Sequence, residues 1–326
     1  LTCGAGVSRN TSPLLDVSIV SVNWNTRELY RRALASVSRW AGSLRVETIA
    51  VDNASADGSA EMVRRDFPDV HLIANDDNVG YTRACNQGLA VASGRYILFL
   101  NSDAELTEGC LETLVQVMDR HPDLGACSPA LTDSRRDVPA GVFPRLWLRL
   151  LPVKLNWQIE NWMIRRFYRE AEVYDVEWLV GACLMVRREV VEQLGGMEER
   201  LFMWYDDADW CLRMKRAGWR RVVVPGACCR HEHGASVQQV PSQQSDFRMT
   251  MAEYTFWRLH RGRLLTAILY GTRVLRLWLS RTRLACSYRL RRGPVEPLEL
   301  ATARLQWHLK HARDILSRPP QPYRGE

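Results

Sequence analysis

Three carboxylates crowd into one short stretch, "LFMWYDDADWCLRMKRAGW" at 201–219. Asp206, Asp207 and Asp209 stand there beside aromatic residues, at what reads as a helix start. Like charges held close together raise the pKa of at least one member, which suits a general base that takes a proton from an attacking hydroxyl. Acids at a helix N-terminus also balance the helix dipole, a role that accounts for one or two of the three more easily than for all. A second cluster, "LNSDAEL" at 100–106, closes a strongly apolar run. Asp103 in it could hold Mg2+ or Mn2+ on a nucleotide diphosphate, because such an ion takes one or two protein carboxylates and completes its shell with phosphate and water. In "VDNASADGS" (51–59), Asp52 could accept the imino N–H of a nucleoside base. In "NDDNVGYTRACNQGL" (75–89), Gly80 permits close backbone approach, and Asn78, Arg83 and Asn86 could line a nucleotide pocket. In "RHEHGAS" (230–236), His231 or His233 could complete a metal site or contact a diphosphate.

Positioning these groups requires strands that end together. "VSIVSVNW" (17–24) is β-branched and apolar, as a buried strand is. "TRELYRRALASVSRW" (26–40) places Leu29, Ala33, Leu34 and Val37 on one helical side. Strands at 46–55, 70–75 and 95–100 alternate with helices at 56–67 and 80–93; Asp57 or Ser59 can cap the first, and Gly94 stops the second. That alternation predicts a mostly parallel α/β sheet, whose ligands lie beyond the carboxyl ends of the strands. The polar clusters Asn23–Asn25, Asp52–Ser55, Asn75–Asn78 and Asn101–Asp103 would then share one edge. A helix at 110–122, a strand and helix closed by Gly195–Gly196, and a strand with its exit loop over 220–234 follow. Residues 133–176 hold Pro139, Pro144 and Pro152 and an aromatic, Arg-rich run, which reads as a mobile flap, an acceptor-facing insert or a surface helix.

Composition narrows the classes. The 326 residues are 46% hydrophobic and 25% charged, as in an ordinary globular protein. The net charge is +7, and Lys154, Lys215 and Lys310 are the only lysines, so Arg supplies nearly all the positive charge. Arg grips phosphate in a bidentate fork, which points to phosphorylated ligands, anionic lipid or nucleic acid; an Arg-rich genome gives the same composition. Nine unpatterned Cys argue for a reducing compartment. HExxH, paired CxxC, GxSxG and the P-loop are all absent, so zinc-protease, serine-hydrolase and P-loop chemistry lack support. No signal peptide or membrane-spanning run is expected. From 246 onward, Trp, Leu and Ile interleave with Arg in a basic amphipathic pattern; it fits an anionic membrane surface, or helices packed on the main domain with solvated Arg outside.

In order, "VSIVSVNWN", "VDNASADGS", "NVGYTRACNQGL", "LNSDAEL", "WLVGACLMVRRE", "LFMWYDDADWCLR" and "HEHGAS" resemble the family 2 glycosyltransferases, most of all their rhamnosyltransferase-type bacterial members, over roughly 16–240. The resemblance implies a GT-A fold. It also implies inverting transfer of a sugar, L-rhamnose from dTDP-rhamnose, to a glycan or polyprenyl-linked acceptor in cell-surface polysaccharide synthesis. The alternatives are UDP-galactofuranose or a UDP-hexose as donor, or a non-catalytic nucleotide- or lipid-binding scaffold. By matched position, Asp52 contacts the base, Asp103 ends the DXD-like metal motif, Asp206 and Asp207 form the acid pair with Asp207 as base, and His231 lies near diphosphate and metal. The metal motif begins with Asn101 instead of Asp, and the acid pair is one methylene shorter than a Glu pair. The full expected nucleotide set is Asn23, Asn25, Asp52, Asn53, Ser55, Asn78, Gly80, Arg83, Asn86, Asn101 and Ser102; Trp178, Gly181, Ala182, Trp204 and Asp209 are expected to face the acceptor. A divalent cation, Mg2+ or Mn2+, is the expected cofactor. The expected organisation is a leader (1–15), a nucleotide-sugar and acceptor domain (16–245), a basic helical region (246–317) and a disordered tail (318–326). The expected location is the inner face of the cell membrane, on the cytoplasmic side; nucleic acid is not expected as a partner, because a carboxylate-rich edge repels phosphate.

Overall fold

Alternating apolar and helical periods fold as they read. The computed structural model describes residues 15–132, 139–167, 171–232, 239, 241–291 and 295–317. The chain opens with β1 (Val17–Asn23), α1 (Arg27–Trp40), β2 (Val46–Asp52), α2 (Ser59–Asp66), β3 (His71–Ala74), α3 (Tyr81–Val91) and β4 (Tyr96–Leu100). These four strands lie in the order β3-β2-β1-β4, all parallel. β1 and β4 are buried along their whole length, which is why their sequences are continuously apolar or small.

Next come β5 (Ala104–Leu106), α4 (Cys110–Arg120), β6 (Leu124–Thr132), β7 (Ala140–Gly141), α5 (Leu146–Arg149) and α6 (Val153–Arg165). β8 (Tyr174–Asp175), β9 (Trp178–Leu179), β10 (Cys183–Arg187), α7 (Arg188–Leu194), α8 (Asp206–Arg216) and β11 (Arg220–His231) complete the sheet region. The nine-stranded sheet runs β3-β2-β1-β4-β10-β6-β11-β5, with β8 also on β11; β7 and β9 form a separate pair. The parallel pairs β1–β2, β1–β4, β2–β3 and β6–β11 carry most of the register, as the sequence leads one to expect, and antiparallel strands join them. β10 enters antiparallel between β4 and β6, and β5 and β8 pair antiparallel with β11. The sheet is therefore mixed: hydrophobic period reports burial, whereas strand direction depends on where the connections run.

Within 133–176, the described part contains α5 and α6. No residue of α6 is buried, and Val153, Trp157 and Trp162 stand exposed on it. The leader at 1–14, the tail at 318–326 and His233 fall outside the described residues.

α9 (Ser242–His260), α10 (Gly262–Arg291), α11 (Glu296–Lys310) and α12 (Ala312–Leu316) follow β11. The expected domain boundary at 245/246 falls inside α9. Residues Met251 to Trp257 of that helix are buried on every side, and Tyr254, Phe256 and Trp257 share one core with Phe99, Leu184 and Trp210. A helix buried all round is core, so α9 is part of the sheet domain's interior instead of a surface element. The amphipathic pattern is kept by α10, where Leu264, Leu275, Trp278 and Leu279 are exposed among arginines.

A shared core predicts shared unfolding. Trp257→Ala removes a side chain that is 1% exposed and should cost about 3–5 kcal/mol. Denaturant unfolding followed by far-UV circular dichroism and by fluorescence should show one transition, shifted as a whole. A separate early transition that leaves the sheet intact would show instead that the C-terminal helices are an independent unit.

Candidate active site

Parallel pairing brings the carboxyl ends of β1, β2 and β4 out together, with Asn23–Asn25, Asp52–Ser55 and Asn101–Asp103 beyond them. Antiparallel β10 begins where β4 stops. Cys183 lies opposite Leu100, and the Asn101 N–H donates to the Ala182 carbonyl at 2.9 Å. β11 ends at the same edge: His231 pairs with Ala104, which sets its Nε2 3.2 Å from Asp103 Oδ1.

Hydrogen bonds connect these ends in an unbroken run. Asp207 Oδ2 accepts the Gly181 N–H at 3.3 Å, one residue before the Ala182 carbonyl that holds Asn101. The Ser102 hydroxyl lies 2.8 Å from that of Thr26, which donates to Asn23 Oδ1 at 2.6 Å. Asn23 Nδ2 donates to Asp52 Oδ1 at 2.9 Å and to Ser55 Oγ at 3.0 Å. Ser55 donates to Asp52 from its N–H at 2.9 Å and its hydroxyl at 2.7 Å, and its Oγ accepts the Asn25 N–H at 2.9 Å. Asn53 donates to the Gly80 carbonyl at 3.3 Å, and Asn78 Oδ1 accepts the Gly80 N–H at 3.0 Å. Asp52, Asp103 and Asp207, 155 residues apart at the extremes, thus belong to one polar rim.

Backbone strain gathers at this rim. Among the described residues, the non-glycine positions with positive φ are Asn25, Ala54, Trp204 and Tyr205. The first two turn the chain at the ends of β1 and β2; the other two immediately precede the acid pair. Each left-handed residue costs about 1–2 kcal/mol, and such strain is characteristic of binding and catalytic sites. Tyr205 is the residue from which α8 starts, so the strained turn aims Asp206 and Asp207. The turn is held by α3: the Tyr81 N–H donates to the Phe202 carbonyl at 2.9 Å and the Thr82 hydroxyl to that of Leu201 at 2.5 Å. Gly80 is required here because its φ is +93° and a Cβ would lie 2.6 Å from the Phe202 ring. The close approach expected at Gly80 is therefore to Phe202, and the first N–H of α3 is already taken, which removes it as an anion site.

The two acids differ. Burial, reinforced by the charge of Asp207, pushes the Asp206 carboxyl up, to about 8. Desolvation also raises Asp207, to about 6, against the N–H groups of Ala208 and Gly181 that stabilise its ionised form. At neutral pH one proton is therefore held mainly on Asp206, and Asp207 is the ionised partner. Tyr81, absent from the expected site, connects the acids to the strand end. Burial together with nearby Cys85 and the acid pair raises its phenol well above the ordinary value, so it stays protonated, and it donates to Asn101 Oδ1 at 3.3 Å. Its only signal in the sequence is an aromatic residue at the start of a helix.

A cavity of about 720 Å³ opens beside Asp207 and is lined by Trp157, Trp178, Trp204, Tyr205 and Met249 among others. The Trp178 ring lies flat on Gly141, where a Cβ would meet it at 2.2 Å. Trp178 and Trp204, expected to face an acceptor, do line this space. Gly181 contributes its N–H to Asp207, and Ala182 is buried with its carbonyl on Asn101.

Three expected site residues are spent elsewhere. Asp209 is 1% exposed and bonds Arg213 Nε at 2.8 Å and His260 Nε2 at 2.6 Å, which ties α8 to α9. It does not line the cavity beside Asp207. Asn86 mimics a backbone pair with Met197, donating to its carbonyl at 2.9 Å and accepting its N–H at 2.8 Å. Arg83 leans on Glu199 at 3.4 Å. Both clamp the loop before the acid pair, and neither joins the group around Asp52.

Asp103 and His231 offer a carboxylate and an imidazole, donors that Mg2+ and Mn2+ accept. Among the described residues no third His, Cys, Asp or Glu joins them. The pair fits a cation that takes most of its shell from a bound diphosphate.

Comparison with known proteins places this arrangement. A mannosyltransferase from Pyrobaculum calidifontis, solved with GDP-Man and Mn2+, aligns with a TM-score of 0.53 at 18% identity over 94% of this chain and 88% of that one. GalNAc-T7, solved with UDP, GalNAc and Mn2+, aligns with a TM-score of 0.57 at 16% identity over 95% of this chain and 59% of its own. Both likenesses establish the GT-A type of fold. The N-acetylglucosaminyl-diphospho-decaprenol L-rhamnosyltransferase of Mycobacterium tuberculosis is 29% identical over 244 residues, which is 69% of this chain and 78% of the relative. The model of glycosyl transferase family 2 matches residues 18–195, more than half of the chain, and on that match the protein belongs to this family.

Proposed function

We propose that this protein is an inverting glycosyltransferase that moves a sugar from a nucleotide donor to a lipid-linked glycan acceptor in cell-surface polysaccharide synthesis. The observation that carries the reading is Asp207: a carboxylate that ionises near neutrality, oriented by two backbone N–H groups and set between an aromatic-lined cavity and the strand ends. L-Rhamnose, the sugar in the mycobacterial relative's name, is the proposed sugar, and dTDP its proposed carrier; Asp52, Asn53 and Ser55 would receive the base and ribose side.

Asp207 takes the proton of the acceptor hydroxyl. The freed oxygen attacks the anomeric carbon from the face opposite the leaving group; a new C–O bond forms, and the bond to the diphosphate breaks with its electron pair leaving on the nucleotide. Asp206, protonated at this stage, removes the like charge that would otherwise oppose ionised Asp207. A divalent cation held by Asp103 and His231 would supply charge neutralisation for the departing diphosphate. Trp178 and Trp204 would stack on acceptor rings and exclude water from the reacting hydroxyl.

Among the described residues no helix is long and apolar enough to cross a membrane. Trp147, Trp157 and Trp162 before the acids, and Leu275, Trp278 and Leu279 on α10, stand exposed among arginines. This surface supports peripheral attachment to the anionic, cytoplasmic face of the membrane.

Asp207→Asn should reduce kcat by about 10²–10⁴-fold while nucleotide affinity by calorimetry stays within a few-fold; equal activity would remove Asp207 as the base. Asp209→Asn, by contrast, should lower the melting temperature and leave kcat of the folded protein nearly unchanged.

The acid pair also sets opposite pH trends. As pH falls through about 6, Asp207 is protonated and kcat/KM should fall. Because both carboxyls are raised in the folded state from an ordinary 3.8, their contribution to stability is greatest at low pH and is lost as pH rises through about 6 and about 8. Urea midpoints measured across this window should decline for the wild type and flatten for Asp206→Asn. Parallel slopes in the two proteins would contradict the assignment.

A further inference from the structure

A second cavity, of about 660 Å³, lies between α5, α9, α10 and α11. Arg149, Tyr205 and Met249 line both this space and the cavity at Asp207, so the two adjoin through those side chains. The lining carries four arginines, Arg149, Arg273, Arg276 and Arg304, against two carboxylates, Asp246 and Glu253. Glu253 is shared: Arg149 Nε donates to one oxygen at 2.7 Å and Arg273 Nη2 to the other at 2.7 Å. Arg304 pairs with Asp246. Arg276 meets no carboxylate among its described contacts; it donates to the Arg149 carbonyl at 2.7 Å and to that of Leu150. Arg149 also meets Glu160 at 3.1 Å, so one positive charge, that of Arg276, is in excess. In addition, Arg273 Nη1 is buried without a hydrogen-bond partner. A buried guanidinium N–H left unmade is costly, so a lining of this kind is matched by an anionic ligand that accepts from it.

The surroundings order that ligand. Past Arg149 and Tyr205, which line both cavities, is Asp207. Along α10, Leu277 lines the arginine cavity and Leu275, Trp278 and Leu279 are exposed. A polar sugar, a strongly anionic group and a hydrocarbon chain would meet these three environments in that order. We propose that the arginine-lined cavity binds the diphosphate of an isoprenoid-linked acceptor, holding its first sugar toward Asp207 and its hydrocarbon toward α10. This assignment rests on the reading of the chain as a transferase acting on a lipid-linked glycan. It is separate from the donor's diphosphate, which belongs to the Asp103–His231 edge.

The test uses the full chain and calorimetry with geranyl diphosphate, geraniol, inorganic pyrophosphate and UDP. Geranyl diphosphate should bind, geraniol should not, and a saturating level of UDP should leave the affinity unchanged. Arg276→Gln should weaken binding about tenfold or more, with Arg276→Lys restoring part of it. Ser280→Asp, which adds an anion to the lining while keeping every arginine contact, should weaken it as well, with an unchanged melting temperature. In transfer assays, Arg276→Gln should raise KM for a diphosphate-linked acceptor and leave KM for a phosphate-free glycoside of the same sugar unaltered. Equal binding by wild type and both charge variants, displacement by UDP, or pyrophosphate binding as tight as geranyl diphosphate would overturn the assignment. If instead the broader reading fails, no Asp207-dependent transfer will be seen with any donor, while charge-dependent binding of geranyl diphosphate persists.

Discussion

Everything at the polar rim hangs on one junction: the end of β4 against the start of β10. The Asn101 N–H to Ala182 carbonyl bond closes it. On one side the chain turns through Ser102 and Asp103 toward β5 and His231. On the other, Gly181 reaches Asp207. Because β4 is parallel to β1 but antiparallel to β10, the junction is where strand ends of one half meet strand starts of the other. Asp103 and Asp207 are thereby held a few backbone bonds apart, in short turns pinned between strands of the sheet and the start of α8.

The acid pair illustrates how environment assigns roles to like side chains. Asp206 turns toward Tyr81 and Cys85 in the interior and keeps its proton. Asp207 faces N–H donors and the open cavity and loses its proton more readily. Asp209, one helical step further, is locked between Arg213 and His260. Two left-handed residues in succession hold the turn before them, and that strain is sustained by hydrogen bonds from the start of α3. The position of Asp207 therefore depends on α3 residues that lie outside the acid pair.

The C-terminal helices contribute to the same centre. α9 passes through the main core, and its Glu253 anchors Arg149 and Arg273 where the two cavities adjoin. α10 carries Arg276 into the adjoining space and exposes its apolar residues outward. The segment whose composition reads as an appendage lines both cavities, through Met249 of α9 and Arg276 of α10.

Much of this was legible in the chain itself. The β1–β4 alternation, the polar clusters at the strand ends and the acid cluster at 206–209 follow from period and residue type, which report burial and exposure locally. Which acid holds the proton was not legible by spacing, because each residue along a helix turns about 100° and neighbours face different surroundings. Tertiary structure alone gave Asp209 to His260, Asn86 to Met197, and Tyr81 to Asn101. It also set the direction of β10 and drew α9 into the core. A pattern along one chain specifies how much of a side chain is buried; its partner, and hence its charge and its role, is chosen by segments that the pattern does not contain.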